Sequence, residues 1–66
     1  MEIENQVKKF RKQKDITQAQ LAKNLDVSRQ TVNAIETGKY DPSLELALKI
    51  SEFFNTDVEE LFKLED

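Results

Sequence analysis

Between Thr17 and Gly38 the chain reads TQAQLAKNLDVSRQTVNAIETG, and its apolar spacing calls for two short helices joined by a tight turn. Ala19, Leu21, Ala22 and Leu25 recur at helical spacing after Thr17, whose hydroxyl can cap a helix start, so residues 18 to 25 form a short amphipathic helix. Asp26 interrupts it. Aspartate is a poor residue inside a helix but tolerates turns and left-handed backbone, so Leu25-Asp26-Val27 reverses the chain and returns Val27 to the core. Ser28 caps a second helix over 28–36, with Val32 and Ile35 as its apolar side and Gly38 as its stop.

Two helices this short, joined by so brief a turn, must cross steeply. That is the helix-turn-helix arrangement, whose second helix can lie in the major groove of DNA. With Val32 and Ile35 turned inward, the outward face carries Arg29, Gln30 and Asn33, with Thr31, Ala34 and Thr37 at its edge. Arg pairs bidentately with guanine, Gln and Asn with adenine, and a small Ala or Thr methyl touches the thymine methyl. The alternative is a plain solvated face. The position of the Arg and amide side chains, at the end of the helix that approaches base edges, favours base reading.

These residues resemble the Cro/CI, or XRE, family of bacterial and phage helix-turn-helix repressors. The resemblance covers residues 4 to 62 and lies in TQAQLA, in VSRQTVNAIETGKYDPSLELALKI and in DVEELF. It implies an all-α fold, a five-helix lambda-repressor-like DNA-binding domain spanning 1–66 as one unit, with the motif at 17–38. It also implies base contacts from Arg29, Gln30, Asn33 and Ala34, and DNA backbone contacts from Gln18, Ser28, Thr31, Lys39 and Tyr40. Arg11 and Glu36 stand where the family pairs a first-helix Arg with a Glu near the end of the recognition helix, so a partly buried ion pair is expected. Asp26 departs from the family, which usually has Gly there; it is expected on the side of the turn away from DNA.

Sixty-six residues make one small domain, without room for a separate sensing or catalytic domain. Neither Cys nor His occurs, so no disulfide, Cys-based metal site or His base is available, and no cofactor or small-molecule ligand is implied. No apolar run approaches membrane-spanning length and no signal-peptide pattern is present, which points to the cytoplasm. No Gly-rich phosphate loop or Ser-centred nucleophile motif appears either, so the chain is not expected to be an enzyme. A net charge of −3 looks wrong for a partner of DNA, but it is unevenly spread. Residues 1 to 40 hold eight cations and five acids, whereas residues 41 to 66 hold two cations and eight acids.

Residues 2 to 14 place Val7 and Phe10, with Ile3 one turn earlier, on one side of a helix. Residues 43 to 54 form another, with Leu44, Ala47, Leu48 and Ile50 as core and Leu46, Phe53 and Phe54 widening the apolar arc. Thr56 or Asp57 caps a last helix, Val58 to Phe62, before the tail Lys63-Leu64-Glu65-Asp66. Phe53, Phe62 and Leu64 are candidates for a homodimer interface, and Phe54 and Leu61 for the monomer core. Met1-Glu2-Ile3 and Phe62-Lys63-Leu64 both alternate apolar and polar residues, so a short antiparallel pairing of the chain ends competes with a longer first helix. The leading function is a repressor on a two-fold symmetric operator, read as a homodimer because one helix reads only a few base pairs. The alternative is an antitoxin or other protein-interaction module that also binds DNA.

Overall fold

Strand β1 (Glu2–Asn5) leads into helix α1 (Val7–Gln13), followed by α2 (Gln18–Leu25), α3 (Arg29–Glu36), α4 (Leu44–Phe54), α5 (Val58–Leu61) and strand β2 (Phe62–Glu65). This is a computed structural model, and it describes residues 2–65. The fold is five helices with an antiparallel pairing of the two chain ends. No helix among the described residues is long and apolar enough to cross a membrane.

Local chemistry sets where α2, α3 and α4 begin. Thr17 accepts the Gln20 N–H at 3.1 Å while the Gln20 side chain accepts the Thr17 N–H at 2.8 Å, a reciprocal capping box. Ser28 accepts from Thr31 N–H and Ser43 from Leu46 N–H, each at 3.1 Å, opening α3 and α4. The first four helices all close in one way. Asp15, Asp26, Gly38 and Asn55 have φ of 57°, 59°, 78° and 51°. In each case the following N–H reaches back five residues: Ile16 to Arg11, Val27 to Ala22, Lys39 to Ala34, and Thr56 to Ser51.

Leu21, Ala22 and Leu25 of α2 meet Val32 and Ile35 of α3, and α4 covers them with Leu46, Ile50 and Phe54. Leu61 is fully buried although α5 has only four residues. A helix that short cannot sustain itself, so packing holds it; burying a side chain such as Leu61 contributes roughly 1.5–3 kcal/mol.

Of the two expectations for the N-terminus, the pairing of the chain ends holds and the longer helix does not: residues 2 to 14 are not one helix, and Ile3 lies in β1, where it faces Leu64. The helix starts at Val7 because the Asn5 side-chain oxygen takes the Val7 N–H at 3.2 Å, while residues before it pair with β2. Other expectations are corrected. The last helix ends at Leu61, and Phe62 is already extended at φ −131° and ψ 128°. Leu44 and Leu48 are exposed, not core. The inward stripe of α4 runs through Leu46, Ala47, Ile50 and Phe54, which leaves Leu44 and Leu48, one turn apart, on a flank. Ala19 is exposed as well. Met1 and Asp66, parts of the alternating end patterns, lie outside the described residues.

The end ladder pairs Glu2 with Glu65, Ile3 with Leu64, Glu4 with Lys63 and Asn5 with Phe62. Strand alternation puts Glu2, Glu4, Lys63 and Glu65 on one face and Ile3, Asn5, Phe62 and Leu64 on the other. The crowded carboxylates leave a mark: a hydrogen bond shared with Glu4 raises the Glu65 pKa, and the Glu4 charge and, more weakly, Glu2 add to it. An acid whose pKa is raised on folding is destabilising when ionised, so the ladder tightens as pH falls through the raised value and loosens above it. In an NMR titration Glu65 should ionise above the ordinary glutamate range, and Glu4→Ala should bring it back; an ordinary Glu65 in the native chain would refute the crowding.

Candidate nucleic-acid interface

Val32 and Ile35 are buried, and that anchors the rotation of α3. Arg29, Gln30 and Asn33 are consequently exposed on its outer side, with Thr31 and Ala34 half-buried at the edge. Gln18, at the first position of α2, reaches across to this face. Its Nε2 donates to Asn33 Oδ1 and to Glu36 Oε1, both at 3.1 Å. An amide oxygen has two lone pairs, so Asn33 keeps acceptor capacity for a base, and among the described residues no protein group takes its NH2 donors. Gln18, Arg29, Gln30 and Asn33 together line a shallow hollow. A second hollow, lined by Thr17, Gln18, Ala19 and Arg29 among others, adjoins it at the start of α2.

The flanking polar groups are held in defined positions. Ser28 Oγ and Thr31 Oγ1 share a hydrogen bond of 3.0 Å beside the α3 cap. Lys39 and Tyr40 are exposed on the loop after α3, and both of their N–H groups donate to the Ala34 carbonyl, at 2.9 and 3.2 Å. Gly38 starts this fold-back at φ 78°, and nothing among the described residues lies within 4 Å of where a Cβ would stand, so glycine is suited by its backbone angle and not by lack of space. Asp26 borders a separate hollow with Asn24, Lys49, Glu52 and Phe53, on the α4 side of the turn.

Beneath the face lies an ion pair. Arg11 Nε donates to Glu36 Oε2 at 2.7 Å and its Nη2 to Oε1 at 3.2 Å, with Nη1 bound to the Ile16 carbonyl at 2.8 Å. The two side chains are 10% and 2% exposed. The hydrogen bond to Glu36 raises the Arg11 pKa against the opposing effect of burial, and the Glu36 charge raises it further, so the guanidinium stays charged.

Of the dimer candidates, Phe53 and Phe62 are half-buried against the core, and Leu64 is 68% exposed. The Phe53 ring meets Phe54 edge-on with centroids 5.0 Å apart, and Lys14 Nζ lies 5.5 Å from its centre. Two residues went unremarked in the sequence. Asn5 donates to the Ile35 carbonyl at 2.8 Å and so ties β1 to α3; no local pattern signals such a long-range bond. Gln20 did carry a signal, three residues after the capping Thr17.

The family model for the helix-turn-helix domain matches residues 7–61. A relative from Methanocaldococcus jannaschii, an uncharacterised helix-turn-helix-type transcriptional regulator, is 53% identical over 64 residues, spanning 97% of both chains. A crystal structure of a putative DNA-binding protein from Bacteroides fragilis superposes with a TM-score of 0.83 at 28% identity, covering 92% of this chain and 98% of that one. The restriction-modification controller protein C.AhdI from Aeromonas hydrophila gives a TM-score of 0.75 at 25% identity, covering 83% of this chain and 80% of its own.

Removing Arg11 would leave the Glu36 carboxylate desolvated without a counter-charge. Arg11→Ala should cost about 3 kcal/mol, lowering Tm by more than roughly 10 °C, and Arg11→Lys, which loses the fork, should fall in between. Thermal melts decide it: an unchanged Tm for Arg11→Ala would show that the pair contributes nothing.

Proposed function

This chain belongs to the XRE-type helix-turn-helix family of transcriptional regulators, and we propose that it is a repressor that occupies a two-fold symmetric operator as a homodimer, α3 lying in the major groove. The observation that carries the reading is the outer side of α3, where Arg29, Gln30 and Asn33 stand exposed together and Gln18 of α2 steadies Asn33. Arg29 reads guanine, Gln30 and Asn33 read adenine, and Ala34 meets a thymine methyl. Gln18, Ser28, Thr31, Lys39 and Tyr40 contact the phosphate backbone around them and set affinity and register more than sequence preference.

Charge supports this orientation. The first forty residues carry a net +3 and the remainder −6, so the half of the chain holding the motif attracts phosphate while the other half is repelled. Asp26, on the α4 side of the turn, then sits away from the backbone it would repel. Repression is the simpler regulatory outcome because occupying a promoter is enough to exclude polymerase, and the protein acts in the cytoplasm where the genome is. Two subunits present two copies of α3 to half-sites about 34 Å apart, one turn of DNA.

Selection of bound sites from random duplex DNA should return a palindrome with that spacing. On the selected site Arg29→Ala and Gln30→Ala should each cost about 1–3 kcal/mol and relax preference at single positions. Lys39→Ala should instead weaken binding to all sequences alike and reduce the salt slope by about one. Equal binding of the selected site by the native chain and both α3 variants would remove the assigned base readers.

A further inference from the structure

The ladder that joins the chain ends is half-buried only at Asn5 of β1 and Phe62 of β2, and the other residues of both strands are exposed. Asn5 ties β1 to α3, and Glu2 and Ile3 line a shallow hollow with Thr37, Gly38 and Asp41. Lys63, Leu64 and Glu65 of β2 are all exposed. The Gln6 N–H donates to the Leu61 carbonyl at 2.8 Å, and bonded and non-bonded pairs alternate along an antiparallel ladder. Counting from that bond through the register, the N–H and C=O of Leu64 point away from β1, to the outer edge. Two strands alone are marginal in water, and an edge with unpaired backbone groups is a template for a further strand.

We infer that β2 pairs antiparallel with β2 of a second copy of this chain, about a two-fold axis that sets Leu64 opposite Leu64 of the second copy. The inference deepens the homodimer proposed above and rests on it. A two-fold axis perpendicular to the sheet keeps every side chain on its own face, so the register must be centred on a residue. Centring on Leu64 sets Lys63 opposite Glu65 of the second copy, and by symmetry does so twice. Centring on Lys63 or on Glu65 sets like charges directly against each other, which is destabilising. The same operation on β1, centred on Ile3, would set Glu2 against Glu4. Charge therefore selects the strand and the register together.

The chosen register also suits the backbone and the apolar face. The two Leu64 residues exchange both of their outward N–H and C=O groups. Ile3 and Leu64, paired within one chain, continue into the Leu64 and Ile3 of the second copy, making one apolar row across four strands. Leu64, 68% exposed in the single chain, is covered. On the opposite face each Glu65, crowded by Glu2 and Glu4, gains an ammonium group from the other subunit.

Sedimentation equilibrium of the full chain over a concentration series tests this. Proline is tolerated at a strand position whose N–H points outward, so Leu64→Pro should leave the monomer folded while raising the dimer dissociation constant roughly 10- to 100-fold. Glu65→Lys relieves the crowding within one chain but opposes two ammonium groups between chains, so dimers should weaken roughly tenfold with no loss of monomer Tm. Adding Lys63→Glu to Glu65→Lys should restore the dimer. Dimers of native strength in Leu64→Pro or in Glu65→Lys, or a double swap no tighter than Glu65→Lys alone, would overturn the β2 interface and leave the homodimer to another surface, such as the Leu44 and Leu48 flank of α4. A native chain that stays monomeric both alone and on its operator would overturn the homodimer itself.

Discussion

Glu36 is held almost wholly out of water, and the fold tolerates that charge because Arg11 meets both of its carboxylate oxygens. Three parts of the chain converge on this point. Arg11 comes from α1 and also holds the Ile16 carbonyl of the loop before α2; Gln18 arrives from α2; Glu36 closes α3. A desolvated pair need not add net stability relative to an apolar contact of the same volume, but its geometry is demanding, so it fixes how the elements around it are placed. The orientation of α3 follows from two kinds of contact: Val32 and Ile35 bury its inner side, and this pair, with the Asn5 bond to Ile35, fixes its far end.

The same contacts also steady part of the exposed face of α3. Gln18 joins the ion pair to Asn33, so a side chain on the exposed face is restrained from below by a charged group inside. If Asn33 meets a base edge as proposed, less rotamer freedom remains to be lost there, which lowers the cost of binding. Arg29 and Gln30, further from the pair, keep more freedom. The surface is thus graded from stiff at Asn33 to adaptable at the start of the helix.

Much of the fold was legible because local chemistry determined it. Thr17, Ser28 and Ser43 are hydroxyl caps at helix starts, and the periodic apolar residues of α2 and α3 name their own buried sides. The first strand was only partly legible: alternation at both chain ends allowed their pairing, but Ile3, Val7 and Phe10 also have helical spacing, and only the long-range contact with β2 decides between the two. The α4 core was misphased for a related reason. Leu44, Leu46 and Leu48 are equally apolar, and only the direction of the neighbouring helices decides which leucine is covered. At the site, the helical spacing of Val32 and Ile35 already put Arg29, Gln30 and Asn33 on the exposed side, whereas the link from Gln18 to Asn33 and Glu36 depends on the helix crossing and needed coordinates.

The left-handed closures of the first four helices bear on the unfolded chain as much as on the folded one. Three of the four are Asp or Asn, and Gly38 is the sole glycine in the sequence. Holding a residue with a Cβ in that conformation costs about 1 kcal/mol, but replacing glycine also removes disorder from the unfolded ensemble, worth about 0.4–1 kcal/mol in favour of the native state. The two effects nearly cancel at each turn. For a domain with so small a core, the result is a denatured chain that is stiffer than usual at the very points where it must reverse direction, so the search for the native turns begins from a narrower set of conformations.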